Sequence, residues 1–196
     1  MRAVIFDRPG DDLVLRLADV PSPEVRPGEL RLRVAATALN RADLLQRQGK
    51  YPPPPGESDI LGLECAGEVV EVGPGVEGWR RGDRAMALLA GGGYAEEVAV
   101  PAPCVMPVPE RLSLVEAAAV PEAFLTVHLT VFRLAALPPG GVALVHGGGS
   151  GIGTAAIQMV KATGGRVIVT AGSDRLANGM AVQAVEPAAE RPGGAV

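Results

Sequence analysis

Apolar positions in this chain change their spacing near Arg111, and the two spacings predict two kinds of structure. From Glu29 to Ala36 they alternate: Leu30, Leu32, Val34 and Ala36 share one face, while Glu29, Arg31 and Arg33 share the other. That period belongs to a half-buried strand. Similar runs recur at Val69 to Val72, Ala85 to Leu89 and Ala95 to Val100. Turn signals separate them: Gly73-Pro74-Gly75, Arg81-Gly82-Asp83, Gly91-Gly92-Gly93 and Pro101. Many short strands with such turns predict a compact barrel or sandwich. One short helix interrupts the region, with Asn40 as its N-cap, Leu44 and Leu45 as its apolar face and Gly49 as its stop. A stiff loop follows, Tyr51-Pro52-Pro53-Pro54-Pro55-Gly56. It is either a wall for a pocket or simple punctuation.

Beyond Arg111 the pattern turns helical. Ser113 and Glu116 form a capping box ahead of Ala117-Ala118-Ala119. Pro121 opens a helical stretch that runs to Leu137 and is broken by Pro138-Pro139-Gly140-Gly141. A strand, Val142 to His146, then meets the turn Gly147-Gly148-Gly149-Ser150-Gly151-Ile152-Gly153. The helix after it places Ile152, Ala155, Ala156, Met159 and Val160 on one face. Gly164-Gly165 ends that helix, and Arg166 to Thr170 is the next strand. Strand, helix, strand is one βαβ unit, which implies parallel pairing and a right-handed crossover.

The glycine turn carries the chemistry. The strict G-x-G-x-x-G pattern is not met, because Thr154 occupies the third slot counted from Gly149; Gly148, Gly151 and Gly153 are the glycines that fit. Between a buried-type strand and an amphipathic helix, such a turn lets the backbone approach a dinucleotide pyrophosphate and offers unpaired helix N–H groups to its charge. The end of the second strand selects the nucleotide. It reads Val169-Thr170-Ala171-Gly172-Ser173, with no acid to accept from a ribose 2′-hydroxyl. Ser173 can donate to a 2′-phosphate and Arg175 can pair with it, which favours NADPH; Asp174 between them argues the other way.

Composition narrows the classes. The chain has 196 residues, 47% of them hydrophobic, and a net charge of -4. That is enough apolar material for a real core, and general disorder is excluded. Lys and Arg are not clustered as a nucleic-acid surface requires; the densest basic stretch, Arg80-Arg81-Gly82-Asp83-Arg84, is a solvated turn. Cys65 and Cys104 form neither a disulfide framework nor a metal spacing and read as small apolar side chains in a reducing compartment. Charge appears too early at the N-terminus for a signal peptide, and no apolar run spans a bilayer, so no membrane association and a cytoplasmic location are expected.

Several stretches together resemble a known family: Ala38-Leu39-Asn40-Arg41-Ala42-Asp43-Leu44, Gln46-Arg47-Gln48-Gly49-Lys50-Tyr51, Ile60-Leu61-Gly62-Leu63-Glu64, Pro121-Glu122-Ala123 and Ser150-Gly151-Ile152-Gly153-Thr154-Ala155-Ala156-Ile157-Gln158. The chain resembles the zinc-free quinone oxidoreductase branch of the medium-chain dehydrogenase/reductase superfamily, collinearly from Met1 to about Ser173. The resemblance implies an α/β plus β fold: a GroES-like β-barrel substrate domain over 1–120, then an incomplete Rossmann NADP-binding domain over 121–173. It implies hydride transfer from NADPH to a quinone, with Asn40 and Thr126 beside the nicotinamide and Tyr51 lining the quinone pocket. Gly148, Ser150, Gly151, Ile152 and Gly153 would hold the pyrophosphate, and Ser173 and Arg175 the 2′-phosphate. Zinc-dependent relatives carry cysteine and histidine where this chain has Asn40 and Leu63, and an amide with a leucine cannot complete a tetrahedral N/S site. No metal is therefore expected.

Each residue also has a plainer reading. Asn40 either caps a helix or contacts the cofactor, Glu64 either serves the site or bonds local backbone, and His128 and His146 are expected in packing roles. The likeness ends at residues 174–196, rich in Ala, Gly and Pro, read as an alternative C-terminus such as a splice product or else as a divergent tail. The family is longer and dimerises through a strand beyond this point, so a truncated form would bind NADPH weakly and would not dimerise by that route. The competing functions are a non-catalytic binding module and an enone or enal reductase.

Overall fold

The alternation at the start of the chain becomes the middle of a sheet. In the computed structural model, which describes residues 1–6 and 15–172, contacts divide the chain into two units, Met1–Glu122 and the remainder from Ala123. The predicted tail over 174–196, with Ser173 and Arg175, lies outside the described residues.

In the first unit β1 (Arg2–Ile5) and β2 (Arg16–Asp19) form an antiparallel pair. The main sheet contains β3 (Glu29–Thr37), β4 (Glu64–Val72), β5 (Arg84–Leu88), β6 (Glu97–Pro101) and β7 (Val105–Pro107). It is antiparallel throughout, in the order β6-β3-β4-β5-β7. Leu30 and Leu32 are fully buried, as the alternation requires, and pack with Cys65, Val69, Ala87 and Val100. Each such leucine contributes about 1.5–3 kcal/mol of burial free energy. The opposite face of β4 is covered as well: Ala66 and Met86 pack under Ala117 and Ala118 at the end of α2 (Leu114–Ala117). That helix has the expected capping box, with Glu116 N–H donating to Ser113 Oγ at 3.2 Å and Ser113 N–H donating to Glu116 Oε2 at 2.8 Å.

The short helix α1 (Arg41–Arg47) starts at its expected cap, Asn40, and stops at Gly49, which takes φ of 72° and donates its N–H to Gln46 O at 2.9 Å. Its buried face is not the expected one. Leu44 is 49% exposed, whereas Asp43 and Gln46 are buried. A helix of seven residues can turn a polar face inward when that face meets polar partners, and Asp43 does. Cys104 also departs from expectation: it is exposed, on a single 3₁₀ turn, while Cys65 is buried.

The helix α3 (Pro121–Val127), whose first two residues belong to the first unit and the rest to the second, runs into a π-helix over His128–Leu134 rather than continuing to Leu137 as an α-helix. Thr130 Oγ1 donates to Thr126 O at 2.7 Å and competes for that carbonyl, and Ala135 N–H reaches back to Thr130 O at 3.0 Å. His128 is not in the core; it is exposed and stacks on Phe132 at 6.4 Å. Next come β8 (Val142–His146), α4 (Gly151–Ala162) and β9 (Arg166–Thr170), with β8 and β9 parallel from Val142 beside Arg166 to His146 beside Thr170. Ala155 and Ala156 of α4 pack with Val127, and Val145, Phe124 and Phe132 close the cluster. Ile152, expected on the same face, is instead exposed at the first turn. The other face of the two-strand sheet is open, with Val142 45% and Leu144 60% exposed.

Candidate functional site

The glycine turn sits at the C-terminal end of β8 and is tied to the end of β9. Gly147 and Gly148 both donate their N–H groups to Thr170 O at 2.9 Å. Ser150 caps α4: its Oγ accepts from Gly153 N–H at 3.0 Å and donates to Gly147 O at 2.7 Å. The glycines then separate by role. A Cβ on Gly148 would lie 2.7 Å from Val169 Cβ, and one on Gly153 would lie 2.4 Å from Gly147 O. Those two allow the turn, helix and strand to close on one another. A Cβ on Gly151 would meet nothing within 4 Å. Gly151 therefore opens the helix onto free space, where its first-turn N–H groups lack intrahelical acceptors. Gly148, Ser150, Gly151, Ile152 and Gly153 form one continuous cradle, and the bare backbone at Gly151 fits a phosphate-bearing group.

His146 stands at the rim of this turn. It is exposed, not packed, and its Nδ1 is 3.0 Å from Thr170 Oγ1. Thr126 is half-buried on α3, with its carbonyl engaged by Thr130.

The first unit holds a second polar constellation, built on Glu64. This residue is 2% exposed at the start of β4. Its Oε1 accepts from Asn40 Nδ2 at 2.7 Å and its Oε2 accepts from Glu122 N–H at 2.9 Å. Its backbone carbonyl accepts from Thr37 Oγ1 at 2.7 Å. Asp43 forms a second node: its Oδ2 accepts from Asn40 N–H at 2.7 Å and from Tyr94 OH at 3.0 Å. Glu64 thus bonds residues far along the chain, not the local backbone. Burial pushes its carboxyl above the ordinary value; the Asn40 and Glu122 hydrogen bonds pull it back, and the Asp43 charge adds to the rise. Burial, then the charges of Glu64 and Asp43, raise Glu122 as well. Tyr94 is held in its neutral form by burial and the Asp43 charge. Burial, with Glu64 alongside, pushes the Cys65 thiol up to about 12, so it is an inert core group.

The structure therefore gathers Asn40 with Glu64, and separately gathers the five cradle residues. Tyr51 is 52% exposed on the loop after α1, and no hydrogen bond ties it to Asn40 among the described residues. Sequence reasoning assigned no role to Asp43, Glu122 or Tyr94. Asp43 had a signal, since an acid three residues after an N-cap is the second half of a capping box. Tyr94 had none, because its partner lies 51 residues away.

Residues 26–110 match the family of the alcohol dehydrogenase GroES-like domain. The mouse synaptic vesicle membrane protein VAT-1 homolog-like is 40% identical over 81% of this chain and 38% of its own length. The solved quinone oxidoreductase from Thermus thermophilus, a structure described with its NADPH complex, is 42% identical with a TM-score of 0.73, over 90% of this chain and 56% of that one. An NAD-dependent alcohol dehydrogenase is 38% identical with a TM-score of 0.76, over 89% of this chain and 59% of that one. The chain thus spans little more than a third of that curated relative. Among the described residues no helix is long and apolar enough to cross a membrane. The chain thus carries an alcohol dehydrogenase GroES-like domain followed by a parallel strand–glycine turn–helix–strand unit, an organisation similar to that of the medium-chain dehydrogenase/reductase superfamily.

Proposed function

We propose that this chain serves an NADPH-dependent quinone reductase activity that works without zinc, of the type of the p53-inducible quinone oxidoreductase. The observation that carries the reading is the cradle, where Gly148 and Gly153 permit closure and Gly151 faces open space at a capped helix start. Similarity to a quinone oxidoreductase solved with NADPH supports the choice of cofactor and substrate class. NADPH, when bound, supplies a hydride to the quinone ring system. The chain's residues bind and orient: Gly151, Ile152 and Ser150 hold the pyrophosphate, Ser173 and Arg175 the 2′-phosphate, Asn40 and Thr126 the nicotinamide. Tyr51, half-exposed, lines the quinone pocket. The oxygen anion of the product takes its proton from water, so no side-chain acid is required.

The zinc-independent part rests on donor chemistry. Asn40 presents an N–H to Glu64, and Leu63 is a buried apolar side chain. Neither supplies the thiolate or imidazole that a catalytic zinc takes. A conjugated quinone accepts hydride without such polarisation, whereas an alcohol or simple ketone does not. On its own the 196-residue chain is expected to bind NADPH weakly, because the open face of β8 leaves the cradle on a thin support. The test is titration with NADPH and NADH followed by Trp79 fluorescence, then turnover with an ortho-quinone and with an enone. Saturation by NADPH ahead of NADH, with the quinone turned over faster than the enone, supports the reading. Absence of any nucleotide response refutes it in favour of a non-catalytic module, and preference for the enone assigns the other reductase class.

A further inference from the structure

We propose that Glu64 is a positioning residue that decides which end of the Asn40 side-chain amide is presented away from it, toward the nicotinamide. The proposal rests on the reading that Asn40 contacts the nicotinamide, and it adds the residue that sets the polarity of that contact.

The two ends of an asparagine amide have nearly the same shape, so partners choose its orientation. Here the choice is forced. A carboxylate accepts only, and Glu64 Oε1 takes Asn40 Nδ2 at 2.7 Å. The Asn40 oxygen is therefore turned away from Glu64. The second carboxylate oxygen is held by Glu122 N–H at 2.9 Å, a backbone donor that cannot turn over. Asn40 itself cannot escape by moving its main chain, because Asp43 Oδ2 holds its N–H at 2.7 Å and is in turn held by Tyr94 OH. Glu64 is buried, while Asn40 is only half-buried, so the amide is fixed on the Glu64 side, and its oxygen, which faces the first-turn N–H of α1 without a full cap hydrogen bond, keeps lone-pair capacity for a ligand.

This arrangement makes an unusual prediction for Glu64→Gln. Glutamine has one oxygen and one NH₂ in place of the two acceptors. The Glu122 N–H keeps the oxygen, so the NH₂ of the introduced glutamine faces Asn40. Asn40 then turns over to accept, and presents its NH₂ where its oxygen had been. Pairing the change with Asn40→Asp reverses the exchange. The introduced aspartate accepts from the introduced glutamine and again presents an oxygen, with the net charge of the pair unchanged.

The readout is the ratio of dissociation constants for NADPH and its 3-acetylpyridine analogue, measured by equilibrium titration of the whole chain. The analogue keeps the carbonyl acceptor of the nicotinamide amide and lacks its NH₂ donor. The parent chain should favour NADPH by about fivefold, the worth of one neutral hydrogen bond. E64Q should erase or invert that preference, and the paired variant E64Q/N40D should restore it. General loss of stability would weaken both ligands alike and leave the ratio unmoved. An unchanged ratio in E64Q overturns the positioning role while leaving NADPH binding intact. If E64Q does not fold, Glu64→Leu, which can neither donate nor accept, decides: a ratio near one supports the role, and an unchanged preference for NADPH refutes it. No binding of either nucleotide by the parent chain overturns the underlying reading and the proposal with it.

Discussion

Two glycines two residues apart should respond to the same substitution in opposite ways. Gly153→Ala places a methyl 2.4 Å from Gly147 O and 2.7 Å from Gly148 Cα, both backbone atoms. Ordinary contact begins at 3.4 Å, so the turn must give by about 1.0 Å, the difference between the two distances. Forcing a close-packed site in this way costs about 1–3 kcal/mol. Alanine recovers about 1 kcal/mol of helix propensity. The net expectation is a loss of up to about 2 kcal/mol, seen as a lower urea midpoint at unchanged slope. Gly151→Ala meets no atom within 4 Å and its backbone is not left-handed, so stability should hold or rise slightly. Its methyl instead occupies the space into which a phosphate would come. NADPH affinity should fall by about tenfold, equal to 1.4 kcal/mol, with the fold intact. Urea denaturation and NADPH titration on both variants separate the two effects. Equal destabilisation of both, or unaltered NADPH affinity in Gly151→Ala, would refute the division of labour drawn from the turn.

Glu122→Gln tests the electrostatics of the first unit. The folded Glu122 carboxyl is raised above its ordinary 4.5, so its ionisation opposes folding, and stability falls as pH climbs from 4.5 through the raised value. The variant keeps the backbone N–H that Glu64 needs, and should be more stable than the parent at neutral pH; the difference should vanish below pH 4.5, where Glu122 is neutral folded or unfolded. Thermal melts across that range check the sign. Asp43→Ala removes the single oxygen that accepts from both Asn40 N–H and Tyr94 OH, and should cost about 1–3 kcal/mol. Tyr94→Phe removes only the hydroxyl, about 1 kcal/mol, and the two changes should be non-additive in a urea double-mutant cycle because they share one bond.

Sequence patterns revealed this fold where neighbours in the chain are neighbours in the fold. The alternation of Leu30 and Leu32, the Ser113–Glu116 box and the helix stop at Gly49 each depend on residues a few positions apart, and each appears in the structure. The site was legible only in part. Asn40 and Glu64 are 24 residues apart, and Glu64 and Glu122 are 58 apart, so no periodicity joins them. Where local pattern and tertiary partner disagree, the partner wins: the leucines of α1 predicted an apolar face, yet Asp43 is the residue that Tyr94 draws inward. Ile152 has the spacing of a core residue but occupies the first turn of α4, beside the open space at Gly151.

The proposed zinc-independence and the proposed role of Glu64 rest on the same physical ground. A metal ion needs lone pairs converging on one point. Around Asn40 the lone pairs of Glu64 are already directed at two N–H donors, and the Oδ2 of Asp43 serves two more donors. A cation drawn onto Glu64 would compete with the start of α3 and the Asn40 amide for its oxygens, and each buried donor left without an acceptor would cost about 1–3 kcal/mol. The network therefore favours a site that orients a ligand through fixed hydrogen-bond polarity, and such a site suits an acceptor whose own conjugation carries the charge that hydride brings.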